Sequence, residues 1–419
     1  MKASEVFTPG RYPSITLVDD HIDGKKIQLL NILEAGGTAI SLSGPSKSGK
    51  TVFVQNAIPK DELIIINAAG VDSPETLWMR VFHYLDTPLP KSITSGITAS
   101  GSASGKVSGG LNCIVAKGNA EGSLTGTLSG TTSTTKEHIN DYLQLLIDEL
   151  SGTGMVLFID DFHYMPKDVQ AEVARHIKEA IRNDVHIICA SVPYHADDAL
   201  SANPDLSGRI ANINFNFWKE DLLLKIAEKG FAKLNVAYDQ SFLRKLAREA
   251  AGSPQLMQYI CLFACFESGI REASPAMSRL QDSDEFFRKV CSIASATVSF
   301  TSIYESMKEG PKSRGNPRAT YLLKDNSICD VYPIILRAIA MDPPVLTFRY
   351  PELQDRIASV CAEKTPSGSS VTGACEQIAK LANDKSQVYM VEWDGTNDVL
   401  DIREPHLLFF LRWSDSVDR

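Results

Sequence analysis

One eight-residue string constrains this chain more than any other feature. Residues 36–54 read GGTAISLSGPSKSGKTVFV. A short apolar run, Ala39 to Leu42, leads into Gly44, Pro45, Ser46, Lys47, Ser48, Gly49, Lys50 and Thr51, and a helical stretch follows. This is the full GxxxxGK[ST] pattern in the strand–loop–helix setting that its chemistry requires. Glycines let successive backbone N–H groups curl around phosphate oxygens, and the start of the following helix adds a favourable dipole. Lys50 is placed to reach the β- and γ-phosphates of a nucleotide and Thr51 to ligate Mg²⁺, so ATP and Mg²⁺ are the expected cofactors.

A second acidic motif stands where such a fold would put it. GMVLFIDD (154–161) is a run of apolar residues ending in Asp160 and Asp161, which reads as a buried parallel strand with carboxylates at its C-terminal end. Asp160 is expected to hold Mg²⁺ through water, and Asp161 to polarise the attacking water. Because Asp161 is a shorter acid than the glutamate more often found in that role, slow hydrolysis or a binding switch is expected. Around these motifs strands and helices alternate: LIIINAA (63–69), SPETLWMRVFHYL (73–85), EHINDYLQLLIDEL (137–150), PKDVQAEVARHIKEAIRN (166–183) and VHIICASV (185–192). The pattern predicts an α/β parallel sheet with helices on both faces. Ser191 closes the last of these strands, where a polar side chain can sense the γ-phosphate; His195 beyond it reads as a loop residue.

The order of these motifs resembles AAA+ P-loop ATPases, nearest to their origin-recognition and STAND-like branches, over roughly residues 5–270. The resemblance implies several further assignments. Arg209, in DLSGRI (205–210), takes the place of an arginine finger that completes a neighbour's ATP site, so a homo-oligomeric ring or filament is expected. KEDLLLKIAEKGFAKL, DQSFLRKLAREAA and SPQLMQYICLFACFE look like the helical lid that packs on adenine, and Gly252-Ser253-Pro254 resembles the GxP lid motif. Where a sensor arginine would begin the last lid helix the sequence has SPQ, a departure from the AAA+ pattern. The segment Phe7 to Pro13 is placed by analogy against adenine through Tyr12. Such ATPases serve phage defence in prokaryotes, or load or regulate another protein. The competing class is a DNA-binding ATPase, a replication initiator or transposition regulator.

The expected organisation is an ATPase core over 1–218, a helical lid over 219–307, a basic Pro/Gly linker over 308–330 and a winged-helix domain over 331–419. In the last, VYPIILRAIAM, YPELQDRIASVCAE and SSVTGACEQIAKLAND supply three helices, and VYMVEW and VLDIRE flank a DGTN hairpin signal. A winged helix often inserts its third helix into the major groove. Here charge opposes that use: the chain carries 51 acidic against 42 basic residues, and residues 327–419 carry nine Lys/Arg against fourteen Asp/Glu, a net of −5. Lys380 and Lys385 share the third helix region with Glu376 and Asp384. Protein docking or autoinhibitory packing is therefore the main expectation for this unit, with DNA as the alternative and the basic segment 308–326 as the best local phosphate contact. The terminal REPHLLFFLRW offers an apolar stretch that docks on a neighbour.

Residues 91–135 hold nine Gly, nine Ser and eight Thr with no aromatic residue, Pro or Asp. They read as a flexible linker by composition. Yet from 97 to 115 small and apolar residues occupy the odd positions, and after Lys117-Gly118-Asn119 the alternation resumes to 130, the pattern of a two-faced β-hairpin. A nineteen-residue arm would extend ~60 Å and needs partners, as in a closed barrel built from several chains. It resembles the stem hairpins of β-barrel pore-forming toxins, so linker, soluble oligomeric barrel and membrane-inserting stem (97–130) all stay open. The eight cysteines lack metal-type spacing and sit mostly in apolar runs, which with the absence of an 18-residue apolar segment gives a cytoplasmic expectation.

Overall fold

The computed structural model describes residues 1–87, 142–192, 206–312, 317–386 and 389–417. The glycine-serine insert and His195 lie outside the described residues.

Five short segments form the central sheet: β1 (Ala39–Ser43), β2 (Leu63–Asn67), β3 (Val156–Asp160), β4 (His186–Ser191) and β5 (Ile210–Asn214). All neighbours run parallel, in the order β2-β3-β4-β1-β5. β1 is buried along its whole length, its serines Ser41 and Ser43 included, as befits a central strand covered on both faces. The helices Asp23–Ala35 and Lys50–Ala57 pack on one face of the sheet, and Pro74–Tyr84, Tyr142–Leu150 and Lys167–Arg182 on the other, each face with its own apolar cluster. Because every strand points the same way, the loops after β1, β3 and β4 converge at one edge, where ligands of open α/β sheets bind.

The lid follows as helices Glu220–Leu234, Gln240–Glu249, Pro254–Glu267 and Asp284–Ser295. Three of them carry the cap their sequence announces: Asp239, Ser253 and Ser283 accept from backbone N–H groups of the first turn. The short N-terminal helix Ala3–Val6 and Phe7 belong to the lid core. A Cβ at Gly230 would lie 2.3 Å from the Phe7 ring, so only glycine admits that ring and draws the N-terminal segment across the lid.

The C-terminal unit has helices Val331–Ala340, Tyr350–Val360 and Gly368–Asp384, and strands Thr347–Arg349, Val391–Asp394 and Val399–Ile402 in one antiparallel sheet. This is the three-helix and wing arrangement expected for 331–419. Its lower boundary differs from the expectation. Helix Thr301–Glu309 lends Ile303, Tyr304 and Met307 to this unit's core, so the lid ends before residue 300 rather than at 307. Most of 308–330 is no linker: Tyr321–Leu322 pairs with Ile328–Cys329, and Arg318 donates to the Asp330 carboxylate at 2.7 Å and to the Glu309 carbonyl at 2.7 Å. The basic segment thus spends its described arginine on its own fold, and composition alone could not show that.

The final helix, Pro405–Trp413, is buried on nearly every side. Phe409 enters the lid core, while Leu407, Leu408, Phe410 and Leu411 enter the C-terminal core. The apolar stretch docks on this chain's own lid, and Arg412 anchors it there by a bidentate pair with Glu249 at 2.7 and 2.9 Å.

Candidate functional site

The loop after β1 is shaped before any side chain is considered. A Cβ at Gly44 would sit 2.5 Å from the Phe215 carbonyl, and Gly49 adopts φ 97, a left-handed value, immediately before helix Lys50–Ala57. These two positions force glycine, and the loop closes over the helix N-terminus, leaving its first N–H groups to face a ligand.

Lys50 folds back into this loop and donates to the Gly44 and Pro45 carbonyls, both at 2.8 Å. Burial pushes its ammonium down to about 8, although Asp160 and Asp161 pull upward. A half-starved buried cation of this kind gains from any polyanion placed beside it. Thr51 Oγ1 donates to Asp160 Oδ2 at 2.5 Å, so the two expected metal-side oxygens already converge. Burial raises the Asp160 carboxyl, against the hydrogen bond from Thr51. Asp161 takes left-handed φ 58, which turns its side chain away from the strand direction and lets it accept from Asn67 Nδ2 at 2.9 Å at the end of β2.

A cavity of about 500 Å³ opens over these groups, within the range of small-molecule sites. Its walls come from the phosphate loop, the end of β3, the N-terminal segment 8–13 and the first turns of lid helix Pro254–Glu267. Trp218 joins core to lid: its indole donates to the Ser48 carbonyl at 2.9 Å and its backbone N–H to the Gly252 carbonyl at 3.0 Å.

Buried polar side-chain atoms almost always find a partner, so those that do not are informative. Among the described residues they are Ser48 Oγ, His163 Nε2, Gln255 Oε1, Ser268 Oγ and His406 Nε2. Ser48 belongs to the phosphate loop, and His163 and Gln255 line the cavity. Val192 N–H donates to His163 Nδ1 at 3.3 Å, so the neutral ring carries its proton on Nε2 as a donor without an acceptor. Burial pushes that imidazole down to about 4, against the pull of Asp161. The residues present therefore fit a polyanionic, hydrogen-bonding ligand.

The expected site residues separate as follows. Ser46, Lys47, Gly49, Lys50, Thr51, Asp160, Asp161, Tyr12 and Pro254 line the cavity, while Gly44, Pro45 and Ser48 shape its loop. Tyr12 also hydrogen-bonds Asn56 Oδ1 at 3.3 Å. Ser191 is not among the lining residues: it is 2% exposed, and Val192 takes the wall position instead. Arg209 is elsewhere. Its carbonyl accepts from Ala39 N–H at 2.9 Å, at the start of β1, so it stands one strand length from the loop that follows β1. It cannot serve this chain's own site. Asn67, His163, Trp218 and Gln255 were not singled out by sequence. Asn67 left a faint signal, a polar residue ending an otherwise apolar strand.

The C-terminal unit reaches the same loop. Lys47 Nζ lies 3.0 Å from Glu404 Oε1 and 3.3 Å from His406 Nδ1. Glu404 is 2% exposed. Burial would raise its carboxyl, but the His406 hydrogen bond and the Lys47 charge outweigh that and hold it at about 2. Burial lowers His406.

No protein-family model matches this chain, and no curated protein does. Solved structures do. The ORC2 protein of Aeropyrum pernix, solved in ADPNP and ADP complexes, is 15% identical with a TM-score of 0.50, covering 97% of this chain and 96% of that one. A Walker-type ATPase of Pyrococcus abyssi is 15% identical with a TM-score of 0.51, covering 93% and 95%. The chain has the AAA+ P-loop fold that these two structures share.

Proposed function

We propose that this chain is an ATP-binding and slowly hydrolysing switch whose nucleotide state decides whether the winged-helix unit stays fastened to the phosphate loop. The observation that carries this reading is the Lys47–Glu404 pair at 3.0 Å. Lys47 belongs to the loop that would wrap the phosphates, so a triphosphate and the buried Glu404 carboxylate compete for one cation. If the phosphates win, Glu404 is left buried without its charged partner and with only His406 hydrogen-bonded to it, a state costing at most about 3–5 kcal/mol, and separation of the unit relieves it.

Lys50, the loop N–H groups and the orphaned donors of Ser48 and His163 bind and orient the phosphates. Thr51 and Asp160 would hold Mg²⁺, which when bound neutralises phosphate charge. Asp161, oriented by Asn67, takes the proton of the attacking water. Arg209, remote from its own cavity, acts on the nucleotide of an adjoining subunit, which makes a ring or filament the working form.

The expected result is ATP binding lost on Lys50→Ala, with hydrogen exchange around residues 404–406 rising on ATP addition. ATP binding with unchanged exchange there would defeat the switch.

For the output, engagement of DNA in the manner of an initiator is better supported than phage defence, because the fold is shared with the ORC2 protein. Five of the unit's eight described cations are tied down: Arg337 pairs with Asp325, Arg403 with Glu392 and Arg412 with Glu249, Arg356 donates to the Met341 and Pro343 carbonyls, and Lys385 donates to Ser302. Arg349, Lys364 and Lys380 are exposed. With about three phosphate contacts, log affinity should fall with log salt at a slope near −3. No binding at 50 mM salt with ATP present would leave a protein partner as the output.

A further inference from the structure

One side chain that the lid contributes to the cavity wall, Gln255, carries a polar atom with nothing to bond. Gln255 is the second residue of helix Pro254–Glu267, and its amide nitrogen donates to the Pro9 carbonyl at 2.7 Å. A carbonyl only accepts, so this contact fixes which way round the amide sits and leaves Oε1 facing elsewhere. Oε1 is buried without a hydrogen-bond partner, and Gln255 lines the cavity beside Gly10, Tyr12 and Pro254.

Gln258, one turn further on, makes the contrast clear. It accepts from Thr8 N–H at 3.1 Å and donates to Thr16 Oγ1 at 2.6 Å. Both ends of that amide fasten the N-terminal segment to the lid, so Gln258 has nothing left for a ligand. Gln255 uses its donor for the same fastening and keeps a rigidly held acceptor for something else.

We infer that Gln255 Oε1 reads the 6-position of a purine, accepting from the 6-amino group of adenine and repelling the 6-oxo group of guanine. The inference rests on the cavity being an ATP site and names the residue that selects its base. The phosphate loop takes the phosphates at one end, so the base meets residues 9–12 and 254–258 at the other. A site built around an acceptor loses binding when the ligand lacks the matching N–H, and loses more when a second acceptor faces it.

The test measures calorimetric binding of ATP, GTP and purine-riboside triphosphate, which has no 6-substituent, to the full chain and to Gln255→Met. The unaltered protein should bind ATP about tenfold more tightly than purine-riboside triphosphate. Gln255→Met should bind those two alike, with purine-riboside triphosphate as tight as before and the handicap of GTP reduced by about tenfold. A variant that keeps the ATP preference overturns the inference, as does one that loses all three ligands equally, which would make Gln255 only a fastening for Pro9. If the unaltered protein binds none of the three, the nucleotide reading itself falls and the base assignment with it.

Discussion

Arg412 clasps Glu249 through Nε and Nη2 at 2.9 and 2.7 Å, and so joins the last helix of the chain to the lid. Trp413 Nε1 donates to the same carboxylate at 2.6 Å. Both charged partners are nearly sealed from water, at 9% and 4% exposure. Lid and winged-helix unit are thus fastened at one end of helix Pro405–Trp413, while Glu404 at its other end holds the phosphate loop. Motion in the switch should open the Lys47 contact and keep the Arg412 contact, moving lid and wing together.

Removal of one partner from a buried, hydrogen-bonded pair leaves the other charge uncompensated. Arg412→Met should therefore destabilise the protein by about 3–5 kcal/mol in urea unfolding. Arg412→Met combined with Glu249→Met should cost less than the sum of the two single changes. Strict additivity would show that the two groups are not coupled.

Asp161 touches neither the phosphate loop nor Thr51 in its described bonds, and the proposed function makes it the general base. Asp161→Asn should lower ATP turnover about a hundredfold and leave ATP affinity within about threefold. Turnover that survives would hand the base role to another group.

Arg209 is assigned to a neighbour's site, and mixing exposes such a role. Arg209→Ala and Asp161→Asn should each be inactive alone, yet a mixture should recover part of the activity, because some interfaces pair an intact Arg209 with an intact Asp161. A mixture as dead as its components would contradict action across subunits.

His163 gives a pH signature. Its folded value, about 4 against 6.5 for the free side chain, means the unfolded chain binds the extra proton first. Its stability contribution is full above pH 6.5 and declines as pH falls toward 4. Between pH 7 and 4.5 the loss should be on the order of 2 kcal/mol. His163→Gln should remove that part of the decline in denaturant titrations at the two pH values. An unchanged slope would refute the assignment.

Much of the phosphate end was legible because its chemistry is local. Gly44 to Thr51 and the Asp160–Asp161 pair occupy contiguous strings whose backbone conformation and ligands are set by near neighbours. At the end of β4 Ser191 is buried, while Val192, whose N–H donates to His163, lines the cavity, and which of two neighbours at a strand end meets the cavity depends on packing that no local pattern shows. The basic segment near 318 read as a linker because Asp330, its partner, binds only once the hairpin forms. Lys47 and Glu404 are 357 residues apart, and no local pattern marks such a pair. The one trace was a charged and polar string, REPH, directly before an all-apolar helix.

The most direct test of the switch is ATP binding measured in a double-mutant cycle of Lys47→Ala and Glu404→Gln. If phosphates and Glu404 compete for Lys47, Glu404→Gln should tighten ATP binding about tenfold in the otherwise unaltered chain and have no effect once Lys47 is alanine. ATP affinity that ignores Glu404, or that changes equally in both backgrounds, would contradict the account.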